Sequence, residues 1–102
     1  MTKKIIGNVY LTSLYLKRLP DILKDVSVVS GHFFCSRNNL TSLDGAPTNV
    51  GGDFHCNFNK LTSLIGAPTY VGGDFLCYGN PVKFTESQVR AVCNVKGKVY
   101  VK

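Results

Sequence analysis

The feature that most constrains this 102-residue chain is an internal repeat with a period of 21 residues. Residues 50–56 read Val-Gly-Gly-Asp-Phe-His-Cys, and residues 71–77 read Val-Gly-Gly-Asp-Phe-Leu-Cys. Three residue types keep this period in three successive units: Phe33, Phe54 and Phe75; Cys35, Cys56 and Cys77; Asn38, Asn59 and Asn80. In repeat proteins, equivalent positions of successive units line up and form an extended binding surface. The repeat therefore favours such a surface over an ordinary active-site cleft.

A longer unit precedes the 21-residue repeats. If it is 24 residues long, residues 7–19 align with residues 31–43, and Val9 then matches Phe33. The additional residues fall within residues 20–29. A helical turn is predicted there around three apolar residues: Ile22, Leu23 and Val26.

The pattern changes near the end of the chain. Thr85 and Gln88 have the spacing of a capping box, which predicts a short helix over residues 86–93. Residues 97–101 read Gly-Lys-Val-Tyr-Val and resemble Gly-Asn-Val-Tyr-Leu at residues 7–11, so we expect a last strand there, 24 residues after the strand of Phe75. The chain is thus predicted to form one domain with three parts: an N-terminal capping repeat (1–30), core repeats of 21 residues (31–80), and a C-terminal cap with the helix and last strand (81–102).

Within each core unit, the residue pattern indicates a strand, a turn and a returning arm. Phe54 and Cys56 alternate as the inward-facing residues of a short strand do. Asn59 follows where the chain must turn, and its amide can satisfy backbone groups that no strand reaches. Leu61 and Leu64 are expected to be buried on the returning arm. Gly-Ala-Pro then forms the outer corner, and Gly-Gly permits a tight entry into the next strand.

The pattern Phe-x-Cys-x-x-Asn-x-Leu-x-x-Leu matches the leucine-rich-repeat signature, with Phe and Cys replacing two leucines. The segments Val-Gly-Gly-Asp-Phe-x-Cys and Asn-x-Leu-Thr-Ser-Leu-x-Gly-Ala-Pro resemble the short leucine-rich-repeat proteins that tailed bacteriophages and some bacteria encode. Their spacing is also similar to that of the leucine-rich domains of bacterial secreted effectors. The resemblance covers nearly the whole chain.

This resemblance implies a mostly β solenoid, a short leucine-rich repeat with about five parallel rungs and a small C-terminal capping helix. Effectors with ubiquitin-ligase activity carry that activity on a separate domain, and this sequence has no residues left to form one. The resemblance therefore implies a non-enzymatic protein-interaction module. The specific expectation is a phage accessory protein that binds a host protein, such as a defence or transcription factor, and inhibits or redirects it.

Composition and charge narrow the class of partner. The chain is 44% hydrophobic and 18% charged, which is typical of a folded domain. Its net charge of +6 favours an acidic partner, although the lysines are dispersed along the sequence. Because the sequence has neither an apolar run of about 20 residues nor a signal-peptide pattern, we expect a cytoplasmic protein without a membrane partner, in the host cell if a phage encodes it.

The candidate binding residues alternate with the buried strand positions. One column on the exposed strand face is predicted to contain Tyr10, Phe34, His55, Leu76 and Tyr100. The next outward position is predicted at Thr12, Ser36, Asn57, Tyr78 and Lys102, and the one after it at Ser13, Arg37, Phe58 and Gly79. Aromatic and arginine side chains are typical of binding hot spots. The predicted partner-binding set is Tyr10, Phe34, Arg37, His55, Phe58, Leu76, Tyr78 and Tyr100.

Three alternatives remain for this face. The aromatic residues are also compatible with ordinary exposed strand positions that pack on their neighbours. A nucleic acid is a less favoured partner, because the charge and the aromatic residues suit a single strand while the lysines form no stripe. The same face is also suited to homodimerisation in a self-associating structural protein.

No catalytic residue, cofactor or metal is predicted. The cysteines at 35, 56 and 77 share one strand position, so their side chains point the same way, and both a disulfide and a shared metal are disfavoured. His32 and His55 lack the Ser, Cys or carboxylate arrangement of an acid–base motif. Asp53 and Asp74 form a like-charged column, which His32 and Lys98 are expected to flank.

Overall fold

The computed structural model describes residues 3–102, in which each repeat contributes one short strand to each of two sheets. In chain order, the strands are β1 (Lys3–Ile5), β2 (Val9–Tyr10), β3 (Val26–Val29), β4 (Phe33–Phe34), β5 (Asn49–Val50), β6 (Phe54–His55), β7 (Tyr70–Val71), β8 (Phe75–Leu76), β9 (Asn94–Val95) and β10 (Val99–Tyr100). The even-numbered strands form the front sheet, and the odd-numbered strands form the back sheet. Both sheets are parallel and five-stranded. A compact α/β fold results.

The register of the front sheet follows the repeat. Phe33 lies opposite Phe54, and Phe54 lies opposite Phe75. The longer terminal steps are also confirmed, because Val9 pairs with Phe33 and Val99 pairs with Phe75. The sequence alignment thus predicted every strand pair of this sheet.

The core is one buried cluster to which both sheets contribute. The rings of Phe33, Phe54 and Phe75 are fully buried, with centroid distances of 5.5 and 5.1 Å between neighbours. The back sheet adds one buried valine from each of four strands, and the returning arms add leucines: Val29, Val50, Val71 and Val95; Leu40, Leu43 and Leu61. Leu64, expected to be buried, is only partly so. Each fully buried apolar side chain contributes about 1.5–3 kcal/mol, so stacking equivalent residues builds a continuous core from short units.

The back sheet was not predicted from the sequence. Strands β5, β7 and β9 each contribute one buried residue, a valine, so they lack an alternating apolar pair such as Phe54 and Cys56 at the front. In two repeats, the Gly-Gly pair follows directly and turns the chain towards the front sheet. A Cβ on Gly51 would overlap the Ser30 carbonyl oxygen, and one on Gly72 would overlap the Gly51 carbonyl oxygen. Glycine is therefore required by the close approach of neighbouring backbones.

The predicted helical turn in the first unit is partly wrong. A 3₁₀ helix covers Asp21–Leu23 and buries Leu23, but Val26 begins strand β3. The sequence Val-Ser-Val-Val favours a strand because β-branched residues fit a pleated sheet. Pairing with β1 and β5 fixes that outcome.

The asparagine at each turn bonds to backbone groups of two neighbouring repeats. The Asn59 Nδ2 amide donates to the carbonyl oxygens of Cys35, Cys56 and Asn57, and its Oδ1 accepts from the Leu40 N–H. Asn38 and Asn80 make the equivalent contacts in their own turns. The predicted role of this residue in the turn is confirmed.

The predicted C-terminal helix is present as α1 (Glu86–Val92), which contacts β9 and β10. Its capping box is complete, because the Thr85 hydroxyl accepts from the Gln88 N–H and the Gln88 side chain accepts from the Thr85 N–H. Cys93 lies one residue beyond the helix in an extended conformation, whereas the sequence had placed it inside. Within residues 3–102, no helix has the length and apolar character needed to cross a membrane.

Candidate functional site

The first set of candidate residues forms a continuous row across the front sheet. Strand pairing aligns its five members, hereafter the front row: Tyr10, Phe34, His55, Leu76 and Tyr100. Tyr10 is 68% exposed and Tyr100 is 39% exposed at the two ends, while the three middle residues are half-buried. The predicted column is therefore confirmed as a geometric feature.

The aromatic rings of the front row pack on one another along the sheet. The rings of Tyr10 and Phe34 stack with centroids 5.4 Å apart, and the His55 ring meets Phe34 edge-on at 4.7 Å. His32 packs against Phe34 as well, at 5.3 Å. The Phe34 ring is therefore in contact on several sides, which limits the area of ring face that it can offer to a ligand.

A second set lies where the front strands end, and it is hereafter the turn cluster: Arg37, Phe58 and Tyr78. The Arg37 guanidinium lies over the Phe58 ring, 4.5 Å from its centroid, and the Tyr78 ring meets Phe58 edge-on at 5.3 Å. Arg37 and Phe58 occupy equivalent turn positions with φ of +56° and +57°, and Gly79 occupies the next with φ of +77°. Bulky residues at positive φ are uncommon. The turn therefore holds Arg37 and Phe58 in an unfavourable backbone conformation that places their side chains together.

Two of the predicted outward positions are wrong. Ser36 and Asn57 are buried, with exposures of 8% and 7%. Strand alternation no longer applies there, because the front strands end at Phe34 and His55, and the left-handed residues Arg37 and Phe58 come directly after Ser36 and Asn57. The Asn57 Oδ1 is also left without a hydrogen-bond partner in the interior.

The acidic column at the entry to the front strands has a structural role. The Asp53 Oδ1 accepts from the Asp74 N–H, and the Asp74 Oδ1 accepts from the Lys98 N–H, both at 2.8 Å. His32 continues the same ladder, since its Nδ1 accepts from the Asp53 N–H at 2.8 Å. The predicted flanking by His32 and Lys98 is confirmed in position, but Lys98 acts through its backbone N–H. These side chains each join one repeat to the next.

His55 lies beside this column rather than in a catalytic arrangement. Its Nε2 is 3.8 Å from the Asp53 Oδ2, and the His32 Nδ1 is equally far from the same oxygen. Partial burial lowers the pKa of His55, and the Asp53 carboxylate only partly opposes that effect. Among residues 3–102, no group of three or more His, Cys, Asp or Glu side chains is placed to hold a metal ion.

The four cysteines are buried free thiols, as the sequence predicted for Cys35, Cys56 and Cys77. Burial raises the pKa of Cys77 and Cys93 to about 11, and it also raises the pKa values of Cys35 and Cys56 above the usual range of a thiol. The thiolate is the nucleophilic form. These residues therefore pack as small apolar side chains.

Sequence reasoning missed an open groove beside the turn cluster. It has a volume of about 570 Å³ and extends from Phe58 and Tyr78 to Phe84 and Val101, which belong to the C-terminal cap. The signal in the sequence was Gly79, since the two preceding repeats carry Arg37 and Phe58 at that position and this one carries no side chain. The sequence could not predict that Gly79 lies next to the C-terminal cap, because that proximity depends on tertiary packing.

The eight predicted residues thus form two sets, the front row on the sheet and the turn cluster at its edge. Comparisons with protein-family models, curated proteins and solved structures gave no match for this chain. Its function is therefore inferred from its own geometry.

Proposed function

We propose that this chain is a non-enzymatic protein-binding module, built as a short leucine-rich-repeat solenoid of five rungs with a C-terminal capping helix. The solenoid assignment is supported by the 21-residue period, by one strand per repeat in each sheet, and by the asparagine ladder at the turns. The sequence resemblance further supports an accessory protein of the kind encoded by tailed bacteriophages. Such a protein would bind and inhibit or redirect a host protein.

The observation that carries this proposal is the front row. Five aligned residues, four of them with rings, leave a continuous, partly exposed surface that the fold does not cover. Contiguous exposed apolar surface usually marks an interaction site, and tyrosine and phenylalanine supply binding energy at such sites. The turn cluster beside the front row adds the guanidinium of Arg37 to this surface.

A protein suits this face better than a nucleic acid does. Single strands bind by stacking their bases on open aromatic faces. The Phe34 ring is stacked with Tyr10, and one face of the Phe58 ring is covered by Arg37. Packed rings that present their edges instead suit the side chains of another protein.

The test is capture of partners from bacterial lysate with wild-type protein and with a Tyr10→Ala/Phe34→Ala double variant. We expect the double variant to retain at least about tenfold less of any partner that the wild type captures, since each hot-spot truncation commonly costs over 1 kcal/mol of binding free energy. The matched control is Tyr15→Ala/Ile65→Ala, which removes one tyrosine and one apolar side chain that are exposed elsewhere.

Three results would contradict the proposal. Equal capture by wild type and by the Tyr10→Ala/Phe34→Ala variant would exclude the front row as the binding face. Capture of nucleic acid, with affinity that falls steeply as salt is added, would favour the alternative partner. A concentration-dependent dimer that the double variant abolishes, with no other partner retained, would identify self-association instead.

A further inference from the structure

The groove beside the turn cluster has an apolar interior. Phe84 is 6% exposed, Tyr78 and Val101 are half-buried, and Phe58 remains 39% exposed along one wall. Its volume of about 570 Å³ lies within the range of about 300–1,000 Å³ that is typical of ligand pockets. The groove is therefore large enough for an apolar side chain and the backbone on either side of it.

Gly79 determines where the Phe58 ring lies at the edge of the groove. The ring packs against Gly79, and a Cβ at this position would overlap the ring atoms Cδ1 and Cε1. The ring therefore occupies the space that a side chain at position 79 would need. In this position Phe58 lines the groove and remains 39% exposed.

The charge around the groove is positive. Lys83 and Lys102 line it and are exposed, and within residues 3–102 neither ammonium lies within 4 Å of a carboxylate. Glu86 also lines the groove, but its Oε2 accepts from the Arg90 Nε at 2.8 Å. Two lysines are therefore available to an anionic partner, while the nearby carboxylate is already paired.

We propose that this groove is the anchor site for the partner protein and that it takes a short acidic peptide segment with an aliphatic or aromatic side chain. The side chain packs against Phe58, Tyr78 and Phe84, and flanking carboxylates pair with Lys83 and Lys102. This inference rests on the proposed protein-binding function and extends its surface from the front row to the C-terminal cap. A nucleotide base is a poorer occupant, because Arg37 lies over the Phe58 ring and Gly79 packs against its Cδ1 and Cε1 atoms, so little of the ring is open for a base to stack on.

The experiment is an NMR titration of the ¹⁵N-labelled full chain with the acetylated, amidated peptide Glu-Asp-Leu-Phe-Glu-Asp. We expect saturable shifts of the amide signals of Phe58, Tyr78, Lys83 and Val101. Two control peptides separate the contributions: one replaces Leu-Phe by Ser-Ser, and the other replaces the acidic residues by lysine. Both are expected to bind more weakly than the parent peptide.

Charge-reversal variants test the role of the groove lysines. Lys83→Glu should weaken peptide binding at least about fivefold, because it replaces attraction by repulsion at the rim. Lys96→Glu is the matched control, since Lys96 is exposed, carries the same charge and lies outside the groove, and it should leave the affinity within about twofold. Thermal melts of both variants verify that the fold is retained.

Four outcomes would overturn the assignment. They are the absence of saturable shifts in the groove, equal weakening by Lys83→Glu and Lys96→Glu, tighter binding of an oligothymidylate probe at the same residues, and occupation of the groove by a second copy of the chain. Shifts confined to the front row would reject the groove while leaving the proposed face intact. The proposed function is tested separately by lysate capture. It fails if the wild type and the Tyr10→Ala/Phe34→Ala variant capture the partner equally well.

Discussion

The turns between front strands and returning arms depend on single asparagine side chains. We expect Asn59→Ala to lower the free energy of unfolding by about 2–4 kcal/mol, because it leaves the buried Leu40 N–H and the Cys35 carbonyl without this partner. Urea unfolding monitored by circular dichroism measures the change.

Asn57 offers a control two residues away. It is buried like Asn59, but its Oδ1 has no hydrogen-bond partner, and Ser36 stands at its position in the preceding repeat. Asn57→Ser should therefore change the free energy of unfolding by about 1 kcal/mol or less, below the change expected for Asn59→Ala. Equal losses for the two variants would show that the bonds of the Asn59 amide are not what stabilises the turn.

His55 links stability to pH. Burial lowers its pKa in the folded state, His32 adds to that effect, and Asp53 and Asp74 oppose it. The unfolded chain therefore binds more protons than the folded chain just below the ordinary histidine pKa of about 6.5, so stability should fall as pH is lowered through this value towards the folded pKa. Urea midpoints at pH 7 and at about 5.5 measure the change, and His55→Gln should reduce it. A midpoint that rises on acidification would contradict this expectation.

At the scale of elements, helix α1 closes one end of both sheets. Its capping box satisfies two backbone N–H groups, those of Thr85 and Gln88. Thr85→Ala should lower the free energy of unfolding by about 1 kcal/mol and increase hydrogen exchange at the amides of the helix. Ser87→Ala alters an exposed residue of the same turn and should have little effect. A similar loss for both variants would indicate that helix propensity, rather than the cap, is responsible.

Elements differ in how well the sequence predicted them. The capping box predicted α1, and the columns of Phe and Cys residues predicted the front strands and their register. The back strands carry no comparable signal, because a segment such as Tyr70–Val71 buries a single apolar residue and is followed directly by Gly-Gly, which by itself indicates only a turn. In the first unit, the local pattern predicts that Val26 belongs to a helical turn. Pairing with β1 and β5 instead makes it part of β3, and a local pattern contains no information about such pairing.

At the scale of the whole molecule, the equivalence of the repeats should allow one whole repeat to be deleted without loss of the fold. Deletion of residues 52–72 removes one strand from each sheet and joins Gly51 to Gly73, which occupies the same position as Gly52 one repeat later. We expect the shortened chain to fold with four strands per sheet. Phe75 would then lie opposite Phe33, in the place that Phe54 takes in the full chain.

Denaturant unfolding and circular dichroism test this expectation. The m-value should fall by about a fifth, in proportion to the surface buried, and the midpoint should also fall. Deletion of residues 52–62 is the control, since it removes half a repeat, breaks the register and should prevent folding. A shortened chain that fails to fold after removal of a whole repeat would show that the units are not equivalent.

The sequence by itself determined the period, the front-sheet register, the buried Phe and Cys columns, the asparagine at each turn, and the order of residues in the front row. Each of these follows from local alternation and from the equivalence of repeats. Only the tertiary structure decided the back sheet, the burial of Ser36 and Asn57, and the groove between Phe58 and the C-terminal cap. These features depend on how distant segments pack and on where a left-handed turn ends the strand, and neither is encoded in a regular pattern along the chain.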